Sequence, residues 1–294
     1  ASYRRVLRFI AGAPDRYLVP NAFLSFWDAL AVVLGTIVRV PRHRRFPPLA
    51  GIEISDLLYE DAWNEWVSER AAANLLMGRW VATWKRAGLR IERFIYTFEN
   101  HSWERVVCAA FRRFYPGTRL IAHQPNGISL LLMNYFISTE ERDVVPLPDV
   151  IITNGGYASK LLKGSGYDPE RVVCGGGLRQ RYLQEWLDED QSARRGTREI
   201  PRIIVAPSIG YSESVELLRK AIVAFAAARD LSVILKCHPS MPIELVGSAL
   251  GVPALPPHIV VSKEPLKILL KDADVLVYNS SAFPSVEALA AGVP

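Results

Sequence analysis

Residues 233–239, VILKCHP, begin as a short apolar run and end on a cation, an imidazole and a proline. A run of that length, bounded by turn signals, reads as a strand buried on both faces of a parallel sheet. Its polar tip marks the strand's exit, where Pro239 stops the pairing and fixes the loop. The neighbouring segments repeat the design. RIIVAPS (202–208) is a second apolar run, and SVELLRKAIVAFAAARD (214–230) follows with helical spacing. Then come HIVVS (258–262), PLKILLKDA (265–273), DVLVYNSS (274–281) and the start of a further helix, AFPSVEALAAG (282–292).

The same grammar occurs earlier. RFIYTF (93–98), RLIAH (119–123), DVIITN (149–154) and RVVCGGG (171–177) predict four strands separated by helices and polar turns. Strands alternating with helices at this spacing predict an α/β protein with parallel sheets. The expected fold is therefore two Rossmann-like domains preceded by a helical N-terminal region. The expected boundaries are 1–90 (helical, part of the first domain), 91–185 (first Rossmann-like domain), 186–200 (polar linker) and 201–294 (second Rossmann-like domain). The chain starts without Met and stops at AAGVP in mid-pattern, which predicts a piece of a longer protein with its second domain truncated. Within the helical region, AWNEWVSERAAANLLMGRWVATWKRAG (62–88) predicts one helix closing on Gly88.

With 294 residues, half of them apolar and 22% charged, the chain is long enough for two packed cores and is not disordered. The net charge of +5 suits an anionic ligand, an anionic membrane surface or nucleic acid. No element carries basic residues interleaved with aromatics along one stripe, which argues against a nucleic-acid reader. Cys108, Cys174 and Cys237 are far apart and make no CxxC pair, so neither a disulfide framework nor a zinc site is indicated. A reducing, cytoplasmic setting is expected. Residues 17–40 approach the length of a membrane span, but Asp28 interrupts them, and Arg39, Arg42, Arg44 and Arg45 follow. A buried helix, an interfacial helix at the inner membrane face and a true span are all readings of that pattern.

In parallel α/β sheets, ligands bind beyond the carboxyl ends of the strands. In the second domain these ends are PSIGYSES (207–214), KCHP (236–239), SKEP (262–265) and NSSAFPS (279–285). Ser280 and Ser281 precede a helix, where hydroxyls and unpaired N–H groups hold phosphate, although a serine there is more often a plain N-cap. Ser208 and Gly210 repeat the arrangement, Gly210 letting a ligand approach the backbone. Lys236 and His238 add donors at the strand between them. Neither GxGxxG nor a P-loop motif occurs in GGGLRQ (175–180), and no Asp-x-Asp pair suggests a metal-bound diphosphate. In the first domain, Glu99 stands at a strand end where a carboxylate can act as a general base. Asn100 and Glu104 fit an N-cap and a first-turn acid. His123 and Gln124 form a second polar pair at a strand end, while His43 and His258 look incidental.

KCHP together with ADVLVYNSSAFPSVEALAAGVP (273–294) resembles the GT-B glycosyltransferases, in particular the bacterial surface-polysaccharide group. That group includes Kdo- and sialic-acid-type transferases and the related CDP-glycerol glycerophosphotransferases. The resemblance implies that His238 and Pro239 contact the activated nucleotide, that Ser280 and Ser281 hold its phosphate, and that Glu287 approaches the ribose. YTFENHSWE (96–104) resembles a Glu-Asn-x-x-Trp-Glu pattern of surface-carbohydrate proteins and implies Glu99 as acid/base. HQPNG (123–127) resembles a Gln-His-Gly turn with the order changed. The implied activity is transfer of a sugar from a nucleotide donor, CMP-linked sugars included, to a surface polysaccharide or lipid-linked glycan in a cleft between the domains. No resident cofactor and no metal are implied. A glycerophosphotransferase, a nucleotide-sugar epimerase and a non-catalytic GT-B-like protein remain open.

Overall fold

The computed structural model describes residues 12–13, 16–178, 182–183, 186, 199–252, 254–279 and 283–294. The chain forms two compact units, Ala1–Gly176 and Gly177–Pro294.

The first unit begins with helices. After a 3₁₀ turn at Pro20–Phe23 comes α1 (Phe26–Val38), started by Ser25. The Ser25 hydroxyl accepts the N–H of Asp28, and the Asp28 carboxylate accepts the Ser25 N–H in return. Asp28 is 2% exposed, and Arg86 donates to both of its carboxylate oxygens at 2.7 Å. Burial pushes the Asp28 carboxyl up, but the hydrogen bonds from Ser25 and the contact with Arg86 outweigh it and hold the group at about 2. The helix is not buried all round, however: one side of it faces solvent with apolar side chains. Among the described residues no helix is long and apolar enough to cross a membrane.

The single helix expected over 62–88 is two, α2 (Ser55–Val67) and α3 (Glu69–Arg86). Ser68 breaks the run: its extended backbone leaves the helical region, and its hydroxyl accepts the N–H of Arg70 to start α3. Gly88 closes α3 with a φ of 76°, in the left-handed region that glycine enters freely.

The sheet of this unit follows in chain order: β1 (Arg93–Thr97), α4 (Ser102–Phe114), β2 (Arg119–Gln124), the short α5 (Thr139–Arg142), β3 (Val150–Thr153), α6 (Gly156–Gly164) and β4 (Val172–Cys174). The strands are parallel in the order β1-β2-β3-β4, with Thr97 beside His123 and Gln124 beside Thr153. Helix α4 presents Val107, Cys108, Ala110 and Phe111 to the sheet and ends on Arg112 and Arg113, which suit the negative end of its dipole. Phe98, Phe111, Leu120, Ala122, Ile151 and Leu162 form the centre of the core.

The second unit contains β5 (Arg202–Ala206), α7 (Tyr211–Phe225), β6 (Ser232–Leu235), α8 (Ile243–Leu250), β7 (Ile259–Val261), α9 (Leu266–Leu269), β8 (Val275–Tyr278) and α10 (Phe283–Ala290). All pairs are parallel, in the order β7-β6-β5-β8. Side chains alternate between two cores: Ile203 and Val205 pack with Leu218, Ile222 and Val246, while Ile204 and Ala206 pack with Leu269, Leu270 and Leu276. A sheet covered on both faces explains why VIL in VILKCHP reads as an unbroken apolar run. Two parallel four-stranded sheets are the α/β architecture the sequence predicts. The polar stretch 187–198, within the expected linker, lies outside the described residues.

Candidate functional site

The strand order of the second unit singles out one place. The chain runs from β5 outward to β6 and β7, then returns to lay β8 on the other side of β5. The connections therefore diverge between β5 and β8, and open α/β sheets bind ligands at such a switch point. The loops there are strapped together by Asn279, whose Oδ1 accepts the Ser208 N–H at 2.8 Å and whose amide donates to the Glu213 carbonyl at 2.7 Å. Sequence reasoning passes over Asn279; its position, first after an apolar strand, is the available signal.

The Ser208 hydroxyl donates to the Glu213 carboxylate and accepts the Gly210 N–H at 3.2 Å. The Ser208 hydroxyl and the Gly210 N–H are thus engaged within the loop, and Glu213 adds a negative charge. Gly210 has a φ of -71°, open to any residue, and a Cβ there would meet the Glu213 carboxylate at 3.1 Å.

The tip of β6 is different. His238 is exposed, and its Nδ1 accepts the Ser240 N–H at 3.1 Å. A backbone N–H can only donate, so the neutral ring carries its proton on Nε2, the nitrogen left for a ligand. Pro239 beside it is exposed as well. Lys236 is half-buried and, among the described residues, hydrogen-bonds to the Lys263 carbonyl alone, at 3.4 Å. Cys237 points the other way into the core, and burial pushes its thiol up. One residue of alternation therefore separates a packing thiol from the Lys236 and His238 donors. Ser280 and Ser281 lie outside the described residues. Glu287, half-buried in α10, accepts a hydrogen bond from the Tyr182 hydroxyl. Tyr182 packs against Trp186 with ring centroids 5.4 Å apart, and the Lys267 ammonium sits 5.4 Å from the centre of the Tyr182 ring.

The strand ends of the first unit are more heavily bonded. Glu99, just past β1, accepts from Asn126 Nδ2 at 2.8 Å on one oxygen and pairs with His101 Nε2 at 3.0 Å on the other. Its carboxylate is 37% exposed and His101 50%, so both meet solvent. Asn134 donates to the Glu99 carbonyl at 2.5 Å, Asn100 donates to the Asn134 carbonyl at 2.7 Å, and Asn154 to the Asn126 carbonyl at 2.8 Å. Asn126, Asn134 and Asn154 escape sequence reasoning, because each belongs to a different loop and nothing in the sequence connects them.

Asn100 takes a left-handed φ of 56°, which asparagine tolerates better than most residues. The turn it makes points three consecutive N–H groups at one carboxylate: Glu104 accepts from Glu99 at 2.9 Å, Asn100 at 3.1 Å and His101 at 3.2 Å. His101, not Asn100, is therefore the residue preceding α4. Glu104 is 2% exposed, and burial raises its pKa against the lowering effect of those three bonds. It is a buried internal acceptor and not merely a first-turn acid.

Gln124 is fully buried; it donates to the Asn126 carbonyl and accepts the Asn154 N–H at 3.3 Å. Its amide thus holds two loops together. His123 is half-buried in β2, and its Nε2 is enclosed with no hydrogen-bond partner among the described residues. In GGGLRQ, Gly175 finds a packing reason, since a Cβ there would lie 2.4 Å from Ile152 Cγ2, whereas a Cβ on Gly176 would meet nothing within 4 Å. No group of three or more potential metal ligands occurs among the described residues.

No protein-family model and no curated protein matches the chain. Among solved structures it is similar to MnaA of S. aureus, seen with UDP, at 12% identity and a TM-score of 0.48, over 92% of this chain and 69% of that one. It is also similar to a UDP-N-acetylglucosamine 2-epimerase from Rickettsia bellii (12% identity, TM-score 0.44, 73% of this chain and 57% of that one). The calicheamicin glycosyltransferase CalG4 is a third such structure (15% identity, TM-score 0.43, 76% and 60%). The chain thus spans 57% and 60% of the length of the last two. Each score is below one half, and the functional reading rests on residues of this chain.

Proposed function

We propose that this protein is a glycosyltransferase of GT-B type, moving a sugar from a nucleotide-activated donor to a surface polysaccharide or lipid-linked glycan. The observation that carries the reading is the open tip of β6, with His238 Nε2 and Lys236 beside the switch point of the second sheet. There the nucleotide's phosphate meets an N–H donor and a cation, and Ser280 and Ser281 are proposed to complete the cradle. Glu287, on α10 and already bonded to Tyr182, is proposed to approach the ribose.

Glu99 is the proposed general base of the first unit. As the bond from the anomeric carbon to the phosphate breaks, the nucleotide leaves with the electron pair. The acceptor oxygen bonds to the carbon, and its proton passes to Glu99. Asn126 and His101 hold one carboxylate oxygen each, which fixes the plane of the base before substrate arrives. His238 and Lys236 stabilise charge on the departing phosphate, so no metal is required for that role.

The test is a thermal-shift screen with CMP, UDP, GDP and CDP, CMP first. One nucleotide should raise the melting temperature in a concentration-dependent way. No shift with any of the four would remove the donor site. Analysis of products with that nucleotide's sugars then separates glycosyl transfer from glycerophosphoryl transfer and from epimerisation.

A further inference from the structure

The solvent-facing side of α1 is built from the wrong residues for water. Phe26 is 74% exposed, Trp27 73%, Val33 54%, Leu34 53%, Ile37 57% and Val38 80%. On a helical wheel these six fall on one arc, opposite the buried Asp28 and Val32. A helix packed on a protein ordinarily shows polar residues there, and a contiguous apolar face of this kind marks a contact surface.

The charges around this face supply the second observation. Arg39, Arg42, Arg44 and Arg45 follow its C-terminal end and are exposed, and none of them forms an ion pair among the described residues. Arg39 instead donates to the Gly35 carbonyl at 2.9 Å. The inner flank of α1 borders a groove of about 490 Å³ between α1, α3 and α4, floored by Gly35, Gly78 and Ala110. Arg39, Arg79 and Arg113 stand on its rim, again without acidic partners among the described residues. Acidic side chains nearby are engaged elsewhere: Glu65 on α2 lines a second groove with Arg39 but pairs with Arg70 at 3.6 Å, and Asp56 pairs with His43 at 2.8 Å.

We propose that α1 and its arginines form a docking surface for an anionic lipid bilayer. The apolar face would enter the headgroup boundary with Phe26 and Trp27 at one end, while Arg39, Arg42, Arg44 and Arg45 engage lipid phosphates at the other. Charge complementarity decides between this occupant and a protein partner: several unpaired arginines flanking an uninterrupted apolar arc match a surface with negative headgroups above hydrocarbon. The inference stands apart from the transferase reading, because it uses none of the residues assigned to catalysis or to donor binding.

The test is sedimentation of the full chain with vesicles of phosphatidylcholine alone and of equal parts phosphatidylcholine and phosphatidylglycerol. The protein should pellet with the anionic vesicles, not with the neutral ones, and high salt should weaken binding. The triple charge reversal R42E/R44E/R45E should lower partitioning by about tenfold or more. The double variant F26S/W27S should lower it comparably while leaving the circular dichroism spectrum and the nucleotide-induced thermal shift intact, since both side chains are exposed. Failure to pellet with anionic vesicles would overturn the proposal. So would pelleting unaffected by both variants, or a concentration-dependent dimer that F26S/W27S dissociates, which would assign the face to a second copy of this chain.

Discussion

The two sheets treat the loops beyond their strands in different ways. In the first unit, asparagines from separate loops bond to Glu99 and to one another, and three backbone N–H groups close on the buried Glu104. In the second, the strap of Asn279 holds the β5 and β8 loops, but the tip of β6 leaves His238 Nε2 and the Lys236 ammonium with little to hold. The first arrangement is organised in advance, as proton transfer requires of a base whose position must not drift. The second keeps donors open, as binding an anion requires. A glutamate can look equally placed at a strand end in both units. Only the bonding shows that Glu99 faces solvent with a fixed carboxylate, that Glu104 is internal, and that Glu213 is tied to its own loop.

The comparison is broken most severely at Glu99. If its carboxylate is the base, Glu99→Gln should lower turnover by about 10²- to 10⁴-fold while the nucleotide-induced thermal shift is unchanged. Turnover equal to wild type would place the base elsewhere.

Glu104→Ala should act on stability. Three N–H groups, that of Asn100 buried and those of Glu99 and His101 partly so, would lose their acceptor, a cost of about 3 kcal/mol in urea unfolding. The pH dependence follows from the raised pKa. The carboxyl's contribution is complete below its ordinary 4.5 and is lost as pH climbs through its raised folded value, and the Ala variant should lack that slope. A loss of only a few tenths of a kcal/mol would show that the three bonds do not organise the Glu99 loop.

His238→Ala should weaken nucleotide binding by roughly tenfold, the value of one hydrogen bond to a charged group. It should leave urea unfolding unchanged, because the ring is exposed. Smaller still, Asp28→Asn should cost about 1 kcal/mol, since Arg86 is largely exposed and the pair is screened. Asp28 titrates in the opposite sense from Glu104. Its stabilisation is present above its ordinary 3.8 and is lost as pH falls toward about 2, so the Asn variant should show a flatter acid limb.

The alternation of strands and helices was legible because parallel strands covered on both faces leave unbroken apolar runs, as in RIIVA and SVIL, ended by polar loops. The break at Ser68 was not, because one serine inside a strongly helical stretch reads as a solvated position until its backbone is seen to be extended. His238 and Glu99 were legible by place, since a strand's end is marked by where its apolar run stops. The bonds of Gln124, Ser208 and Gly210 were not legible, because partners such as Glu213, Asn126 and Asn154 sit on loops or turns whose geometry the sequence does not show. Strand order was hidden too. The return of β8 to the side of β5, which creates the switch point, depends on a crossover that no local pattern encodes.

The most direct measurement is calorimetric titration of the wild-type chain and its His238→Ala variant with the nucleotide selected by thermal shift. Saturable binding by the wild type that is weakened about tenfold in the variant is the expected result. Equal affinity in both, or no binding by the wild type, would contradict a nucleotide site at the tip of β6.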